Sequence, residues 1–288
     1  MTDNKLVSIG LATHNGSRTI RRALDTLLAQ TYKNFELIIS DNASTDETGK
    51  ICEGYAARDS RIRYVRQKEN IGPLRNFKFV ADEARGEFFM WAADDDWWHS
   101  EFIEKLLKKL EESSRAGVAM SSHRLIYVDG ELREEVGYVG DLDLTDKGYY
   151  YTYNKMAIGA PIIMYIYGLW RTEKFRKLNK RAMPKCIGQD RILMCEAALT
   201  TGFASVSETL YFKEMTRATL KAHHADDEVG QFYLTRFPYL YSVWVMLWWL
   251  LSSRNIPLRR KPLIFIPWLK YAWHRLPRIK HEILKIIR

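Results

Sequence analysis

The sequence predicts an α/β protein with a mostly parallel sheet and helices on both faces. Three observations lead to this fold class. Short apolar runs alternate with amphipathic segments through the first third of the chain, as in stacked βαβ units. The stretch Glu87–Trp98 contains an apolar run that is dense in aromatic residues and is followed by three adjacent carboxylates. The chain of 288 residues is long enough for one large domain, or for one domain with an appendage.

The βαβ part contains four predicted strands and four predicted helices. The strands are Leu6–Ala12, Phe35–Ser40, Ile62–Gln67 and Glu87–Ala92, each short and apolar. The helices are Thr19–Ala29, Thr45–Ala57, Pro73–Ala84 and Glu101–Leu110. Ser44 and Glu47 form a capping-box pattern before the second helix, and Pro73 suits the first turn of the third.

The pattern changes after Val118. Asp129-Gly130 is a hairpin turn signal between two strand-like runs. Asp141–Asp146 is polar and loop-like, and Pro161–Trp170 has the composition of a buried strand. A helix is predicted to begin at Gln189-Asp190, and Thr209–Met215 is the last predicted strand.

Composition constrains the compartment and the partners. The formal charge is +9, with the basic excess concentrated in residues 254–288, which favours an anionic partner, either nucleic acid or anionic lipid. The three cysteines lack metal-ligand spacing and are expected to be reduced core thiols in the cytosol. The N-terminus lacks a signal-peptide pattern, and no window is apolar enough to predict a transmembrane helix.

The acidic run Asp94, Asp95 and Asp96 has two interpretations. Ligands of open α/β sheets collect at the carboxyl ends of the strands, where this run falls. Adjacent carboxylates repel one another, so a divalent cation carrying a phosphorylated ligand would stabilise them. The alternative is an acidic loop leading into the helix that starts near Ser100.

Five motifs in order resemble family 2 glycosyltransferases with the GT-A fold. They are THNGSRTI, SDNASTD, ENIGPLRN, ADDDWW and GQD, and the resemblance spans roughly residues 5–215. It implies an enzyme that moves a sugar from a nucleoside-diphosphate sugar, with UDP favoured, to an acceptor hydroxyl with inversion at the anomeric carbon. The acceptor would be a lipid-linked or cell-surface glycan.

The resemblance also implies nucleotide-binding residues. Base and ribose contacts fall on Thr13, His14, Asn15 and Asp41, and a diphosphate contact falls on Arg75, whose guanidinium matches phosphate geometry. The alternatives are a turn residue for Asp41 and a solvated helix face for Arg75.

The acidic run matches the family's DXD motif. It implies that Asp95 binds Mn²⁺ or Mg²⁺, hard cations that favour oxygen ligands. The usual first Asp of the motif falls on Ala93, so Asp94 is the candidate for the ribose contact. Trp97 and Trp98 are expected to be packing residues, although one could stack on a sugar.

Asp190 corresponds to the family's catalytic base, in a Gln189-Asp190 pair where Glu-Asp is usual. Its implied role is to accept the proton of the acceptor hydroxyl. The alternative is an N-cap Asp, which is common at helix starts. His223-His224 could add a metal or diphosphate contact, although an exposed loop is favoured.

The sequence divides into a GT-A catalytic domain, residues 1–225, and an aromatic, basic helical region, residues 226–288. Trp and Tyr favour membrane interfaces, and Lys and Arg attract anionic lipid. We expect peripheral attachment to the cytoplasmic face of the plasma membrane by amphipathic helices. A helical lid and a dimer interface are the alternatives, and nucleic-acid binding is disfavoured because the aromatics are clustered.

Two rival functions are weighed against transfer. A degenerate GT-A module would bind nucleotide sugar or partners without turnover, and Ala93 and Gln189 would mark the decay. A nucleotidyltransferase that makes nucleotide sugars would need a glycine-rich first loop that this chain lacks.

Overall fold

One mixed sheet forms the centre of the molecule. The computed structural model describes residues 5–129, 132–139, 144–145, 147–159, 161–181, 183–216 and 237–287. Within these, the sheet order is β3-β2-β1-β4-β8-β6-β9-β5, with β7 paired to β6. The strands are β1 Val7–Thr13, β2 Phe35–Asp41, β3 Ile62–Arg66, β4 Phe88–Ala93, β5 Trp97–Trp98, β6 Ala116–Asp129, β7 Leu132–Val139, β8 Leu169–Arg171 and β9 Gly202–Thr216.

The helices cover the sheet and extend from it at the C-terminal end. They are α1 Ile20–Leu28, α2 Thr48–Ala56, α3 Pro73–Asp82, α4 Phe102–Glu112, α5 Tyr149–Ile158, α6 Thr172–Asn179, α7 Gln189–Thr200, α8 Pro238–Ser252 and α9 Phe265–Ile287. Two 3₁₀ segments, Pro161–Tyr167 and Leu258–Ile264, complete the described elements. Within the described residues, none of the helices is both long and apolar enough to cross a membrane.

The first four strands are parallel, as the sequence predicts. Strand β1 lies between β2 and β4, and β2 pairs with β3. The registers Thr13↔Asp41 and Ala12↔Ala93 bring three strand ends to one edge. This confirms the stacked βαβ arrangement and places the polar strand ends together.

The aromatic run of β4 forms the centre of the core. Phe88, Phe89 and Trp91 are all buried. The Trp91 ring meets the Phe175 ring edge-on at 4.7 Å between centroids, and its indole N–H donates to the Phe77 carbonyl at 2.9 Å. Aromatic pairs of this geometry add about 0.5–1.5 kcal/mol beyond their buried area. The run is therefore a fully buried central strand, as its composition predicts.

Two local predictions are wrong. The capping box at Ser44 and Glu47 does not form: the Ser44 hydroxyl accepts the Asn15 N–H at 2.9 Å, and the helix begins at Thr48. The predicted strand over Pro161–Trp170 is a 3₁₀ segment followed by the short β8. Gly168 lies between them, and a Cβ there would lie 2.4 Å from the Ala119 carbonyl oxygen, so only glycine fits this close approach of the chain to β6.

Other second-half predictions are confirmed with different bounds. Strands β6 and β7 form the predicted antiparallel hairpin, although Gly130 of its turn lies outside the described residues. Strand β9 starts earlier than predicted, and α7 begins at Gln189 as expected. Most of Asp141–Asp146 lies outside the described residues. The cysteines Cys52, Cys186 and Cys195 are buried and free, as predicted.

Candidate functional site

The first loop after β1 binds to the acidic turn after β4. The Thr13 hydroxyl donates a short hydrogen bond to the Asp94 carboxylate. Partial burial, and then the charge of Asp95, raises the pKa of Asp94 to about 7. Two predicted nucleotide-binding residues, Thr13 and Asp94, are therefore in direct contact.

Asparagine side chains fix the loops around this edge. Asn15 lies at φ 53°, and its side-chain oxygen accepts the Thr45 N–H at 2.8 Å. Asn42 accepts the Ile71 N–H at 2.8 Å and donates to Asn70 at 2.7 Å. Asn70 in turn lies 3.3 Å from the His14 ring nitrogen Nε2. The exposed His14 and Asn15 thus lie at a sheet edge whose loops are held in place by these amide contacts.

Asp41 is fully buried and its carboxylate is already bonded. One oxygen accepts the Ser44 N–H at 2.8 Å, and the other accepts the Tyr64 hydroxyl at 2.9 Å. These bonds hold the loop between β2 and α2. A direct contact with a nucleotide base stays a prediction, and it would require the buried Asp41 side chain to become exposed.

Arg75 lies exposed on the first turn of α3, without an ion pair or hydrogen bond to the described residues. Its guanidinium is free for an anion. Arg18, a weaker candidate, differs because it forms an ion pair with the buried Glu214.

The three carboxylates of the acidic turn have different environments. Asp95 is partly exposed, and within the described residues its carboxylate accepts no hydrogen bond. Asp96 is fully buried, bonded by the Tyr211 hydroxyl and by the Lys213 ammonium at 3.3 Å. Burial raises the pKa of Asp96 to about 7, and the charge of Lys213 acts in the opposite direction. Of the three carboxylates, Asp95 is thus the one that accepts no hydrogen bond from a described side chain, and its role as a metal ligand stays a prediction.

Strand β9 braces this turn on both of its faces, a feature that sequence reasoning missed. Tyr211 and Lys213 bind Asp96, whereas Phe212 stacks on Trp97 at 5.5 Å between ring centroids. On the latter face Glu214 holds Arg22 at 2.8 Å. The order Tyr211, Phe212, Lys213, Glu214 was a usable signal, because alternate side chains of a strand face opposite sides, so each face of the strand carries one aromatic and one charged residue.

Arg22 connects Glu214 of β9 to the acidic turn. Its guanidinium lies 4.0 Å from the centre of the Trp97 ring and donates to the Asp95 main-chain oxygen at 2.7 Å. Trp97 is therefore packed between Arg22 and Phe212, and Trp98 is buried. Both tryptophans are packing residues, as expected.

Asp190 lies in the first turn of α7, partly buried, with no described hydrogen-bond partner. The helix N-cap is Gly188, at φ 75°, so Asp190 is not the capping residue. Next to it, Arg191 donates to the Met156 and Gly159 carbonyls, each at 3.0 Å, which ties α7 to the C-terminal end of α5. The carboxylate of Asp190 is therefore free on a firmly held helix end.

Tyr167 connects the two free carboxylates electrostatically. The Lys213 ammonium acts to lower the pKa of the Tyr167 phenol. Burial and three carboxylates outweigh it and raise that pKa to about 12; the carboxylates belong to Asp96, Asp190 and Asp95. Asp95 and Asp190 thus lie in electrostatic range of one phenol.

The residues fit a divalent cation held in part by its substrate. Among the described side chains, no group of three or more His, Cys, Asp or Glu converges on a metal position. Asp95, with Asp94 beside it, offers hard oxygen ligands, and Mg²⁺ characteristically binds through one or two carboxylates plus substrate phosphates. His223 and His224 lie outside the described residues.

The sheet and its acidic turn define an α/β protein whose candidate ligand site is at the carboxyl ends of the parallel strands, where ligands of such sheets collect. The family model of glycosyl transferase family 2 matches residues 8–179. Since this is more than half of the chain, the chain belongs to that family.

Curated relatives match over part of their length. Glycosyltransferase GlyA of Streptococcus pneumoniae is 31% identical over 123 residues, which are 43% of this chain and 17% of GlyA. Putative glycosyltransferase EpsH of Bacillus subtilis is 36% identical over 103 residues, 35% of this chain and 29% of EpsH. The matched stretch is thus less than a third of either relative.

Solved structures share the fold over nearly the whole chain. S. aureus TarS 1-349 superposes with a TM-score of 0.59 at 16% identity, covering 96% of this chain and 83% of the 1-349 chain. A mannosyltransferase of Pyrobaculum calidifontis in complex with GDP-Man and Mn²⁺ superposes with a TM-score of 0.52 at 15% identity, covering 95% and 74%. The predicted GT-A fold is confirmed.

Proposed function

We propose that the protein is an inverting, metal-dependent glycosyltransferase that moves a sugar from a nucleoside-diphosphate sugar to an acceptor hydroxyl. The observation that carries this is a pair of partly exposed carboxylates, Asp95 and Asp190, which accept no hydrogen bond from the described residues and both act on the charge of the Tyr167 phenol. Carboxylates left without protein partners are typical of groups that await a ligand.

The donor is proposed to lie across the carboxyl ends of β1, β2 and β4. His14 and Asn15 would border its nucleoside, Asp94 would accept a ribose hydroxyl, and the free guanidinium of Arg75 would pair with the diphosphate. Asp41 would bind the nucleotide base or ribose after a local rearrangement that exposes its carboxylate. Asp95, with Asp94, would hold Mn²⁺ or Mg²⁺, which neutralises charge on the departing diphosphate when bound.

Transfer is proposed to proceed by direct displacement. The acceptor oxygen attacks the anomeric carbon while the bond from that carbon to the diphosphate oxygen breaks. Asp190 accepts the proton of the attacking hydroxyl as the new glycosidic bond forms.

UDP is the favoured nucleotide. TarS has been solved in complex with UDP and with UDP-GlcNAc, and the mannosyltransferase with GDP-Man. A thermal-shift panel of UDP-, GDP- and dTDP-sugars, each with and without Mn²⁺, identifies the donor here, because stabilisation scales with ligand concentration over Kd. No shift with any nucleotide sugar would contradict the proposal.

The base is tested with the Asp190→Asn protein. It should keep the donor-induced thermal shift of the parent and lose transfer by roughly a hundredfold or more. Asp82→Asn is the matched control, since Asp82 is an exposed carboxylate paired with Lys78 on α3. Unchanged transfer by the Asp190→Asn protein would refute the assignment.

The alternative is a module that binds nucleotide sugar or partners without turnover. Ala93 and Gln189, which depart from the family motifs, favour it. It predicts the same donor-induced thermal shift but no release of nucleoside diphosphate with any acceptor preparation. The free Asp95 and Asp190 side chains support turnover instead.

We further propose that the protein works at the cytoplasmic face of the plasma membrane on a lipid-linked or cell-surface glycan precursor. The support is the basic, aromatic C-terminal region, whose proposed boundary at residue 225 falls outside the described residues. Helix α8 of this region packs on α7, the helix that carries Asp190. A lid function and attachment are therefore compatible, because they use opposite faces.

A further inference from the structure

We infer that one face of the C-terminal helices docks on an anionic lipid surface. The docking face consists of Trp244 and Trp248 on α8 and Phe265, Leu269 and Trp273 on α9. This inference deepens the proposed membrane attachment, but it does not depend on the transfer chemistry.

Exposed apolar side chains are confined to one region. In the described part of the chain, the large exposed hydrophobic residues all lie in α5 or within residues 244–284. Trp244 is 60% exposed, Trp248 62% and Trp273 72%. Tryptophans are normally well buried in water-soluble proteins, and a group of exposed ones marks an interaction surface.

Helix α9 has a buried face and an exposed face, and the exposed face carries both apolar and basic side chains. Ile264 at its start, then Tyr271 and Ile279, point into the protein. Phe265, Leu269 and Trp273 follow one another at four-residue intervals and are exposed, so they form one stripe. Lys270, Arg278 and Lys280 are exposed as well, so basic side chains lie around this stripe. A helix with an exposed apolar stripe among basic residues is typical of attachment parallel to a membrane surface.

The two tryptophans of α8 extend this stripe. Trp244 and Trp248 are four residues apart and therefore share a face of α8. The Trp244 ring lies 6.4 Å from the Trp268 ring of α9, between centroids. Trp268 lies three residues after Phe265 and is its neighbour on the surface of α9. The exposed apolar residues of the two helices are therefore adjacent.

The charge around the docking face has one sign. Residues 254–288 contain ten Lys or Arg and one acidic residue, Glu282. Glu282 is buried and accepts the N–H groups of Tyr239 at 2.8 Å and Leu240 at 3.3 Å, at the start of α8. Within residues 254–284, no Lys or Arg forms an ion pair with a described acidic residue. The exposed charge is thus uniformly positive, which complements anionic headgroups.

The opposite side of α8 is fixed to the catalytic half. Glu196 of α7 is fully buried and accepts the Trp249 indole N–H at 2.6 Å, the Ser253 hydroxyl at 2.6 Å and the Asn255 amide at 2.9 Å. Glu196 lies about 9 Å along the helix from Asp190, at 1.5 Å per residue. A bilayer on the docking face would therefore hold the acceptor end of the site at a set height above the lipid.

Flotation with lipid vesicles tests the inference on the full chain. The parent should float with phosphatidylcholine vesicles that contain roughly one third phosphatidylglycerol, and much less with pure phosphatidylcholine. The Trp248→Ser/Trp273→Ser protein should lose at least tenfold in partition to the anionic vesicles. The Lys270→Glu/Lys280→Glu protein should lose the preference for anionic lipid.

Controls separate docking from folding and from transfer. Lys108→Glu, an exposed change on α4, should float like the parent. Unchanged melting temperature and donor-induced thermal shift would show that the tryptophan variant is folded and binds donor. Parent-like flotation of that variant, or no flotation of the parent, would overturn the inference. So would a parent dimer in solution that the same two substitutions dissociate, because the face would then bind a second copy.

Discussion

Replacing Lys213 by Met should destabilise the fold through the buried Asp96. The Lys213 ammonium is the cation among the acidic residues 94–96, 3.3 Å from an Asp96 carboxylate that has no exposed surface. Removing one partner of a buried ion pair typically costs about 3–5 kcal/mol, because the other charge remains without compensation. The Tyr211 hydroxyl still donates to Asp96, so we expect the lower end, about 3 kcal/mol, or a melting temperature lower by roughly 6 °C.

The loss should depend on pH in a defined direction. The pKa of Asp96 is raised by burial to about 7 in the folded protein, above the value of about 4 for an unfolded chain. Without Lys213, burial is opposed only by the Tyr211 hydrogen bond, so the folded-state pKa of Asp96 rises further. Folding then binds a proton, so the penalty is largest above pH 7 and shrinks as the pH falls from 8 to 5.

Urea denaturation of the parent and the Lys213→Met protein at pH 8 and pH 5 measures both effects. The Lys213→Met/Asp96→Asn protein is the matched control, and it should regain at least half of the stability lost at pH 8. An equal deficit at both pH values, or no recovery in the double variant, would refute an uncompensated Asp96 charge as the cause.

Three further outcomes are expected. Arg191→Met removes the hydrogen bonds from α7 to the end of α5 and should lower the free energy of unfolding, measured by urea denaturation, by about 2–4 kcal/mol. Sugar transfer should fall more than donor binding, because Asp190 is adjacent. A variant as stable as the parent would contradict this. Glu196→Gln places an amide donor among the three donors of Trp249, Ser253 and Asn255 and should lower the free energy of unfolding by about 2–3 kcal/mol. Hydrogen exchange should accelerate first in α8. Uniform acceleration over the whole chain would contradict a role of Glu196 in holding α8. If Asp94 contacts the cation, its protonation below its pKa of about 7 should lower the Mn²⁺ affinity by up to tenfold per pH unit. Calorimetry with nucleoside diphosphate present measures this affinity. An affinity that does not change with pH would leave Asp95 as the sole carboxylate ligand.

The sequence by itself determined the parallel half of the sheet and the residues at its edge. The runs that became β1, β2, β3 and β4 are short, apolar and separated by amphipathic helices, so their pairing follows from local composition and the right-handed crossover rule. Polar residues directly after such strands must meet at one edge. The proximity of Thr13 and Asp94 was predictable for this reason.

Only the tertiary structure decided which of these residues are free. Asp41, Asp95 and Asp96 look alike in the sequence, yet two are buried and bonded while one is open. Their partners, Tyr64 and Lys213, are distant in the chain, and no local pattern encodes such contacts. Whether a carboxylate is available to a ligand depends on the donors that folding brings to it. For the same reason, the contacts of β9 with the acidic turn and the exposure of the C-terminal tryptophans could be recognised only in the folded chain.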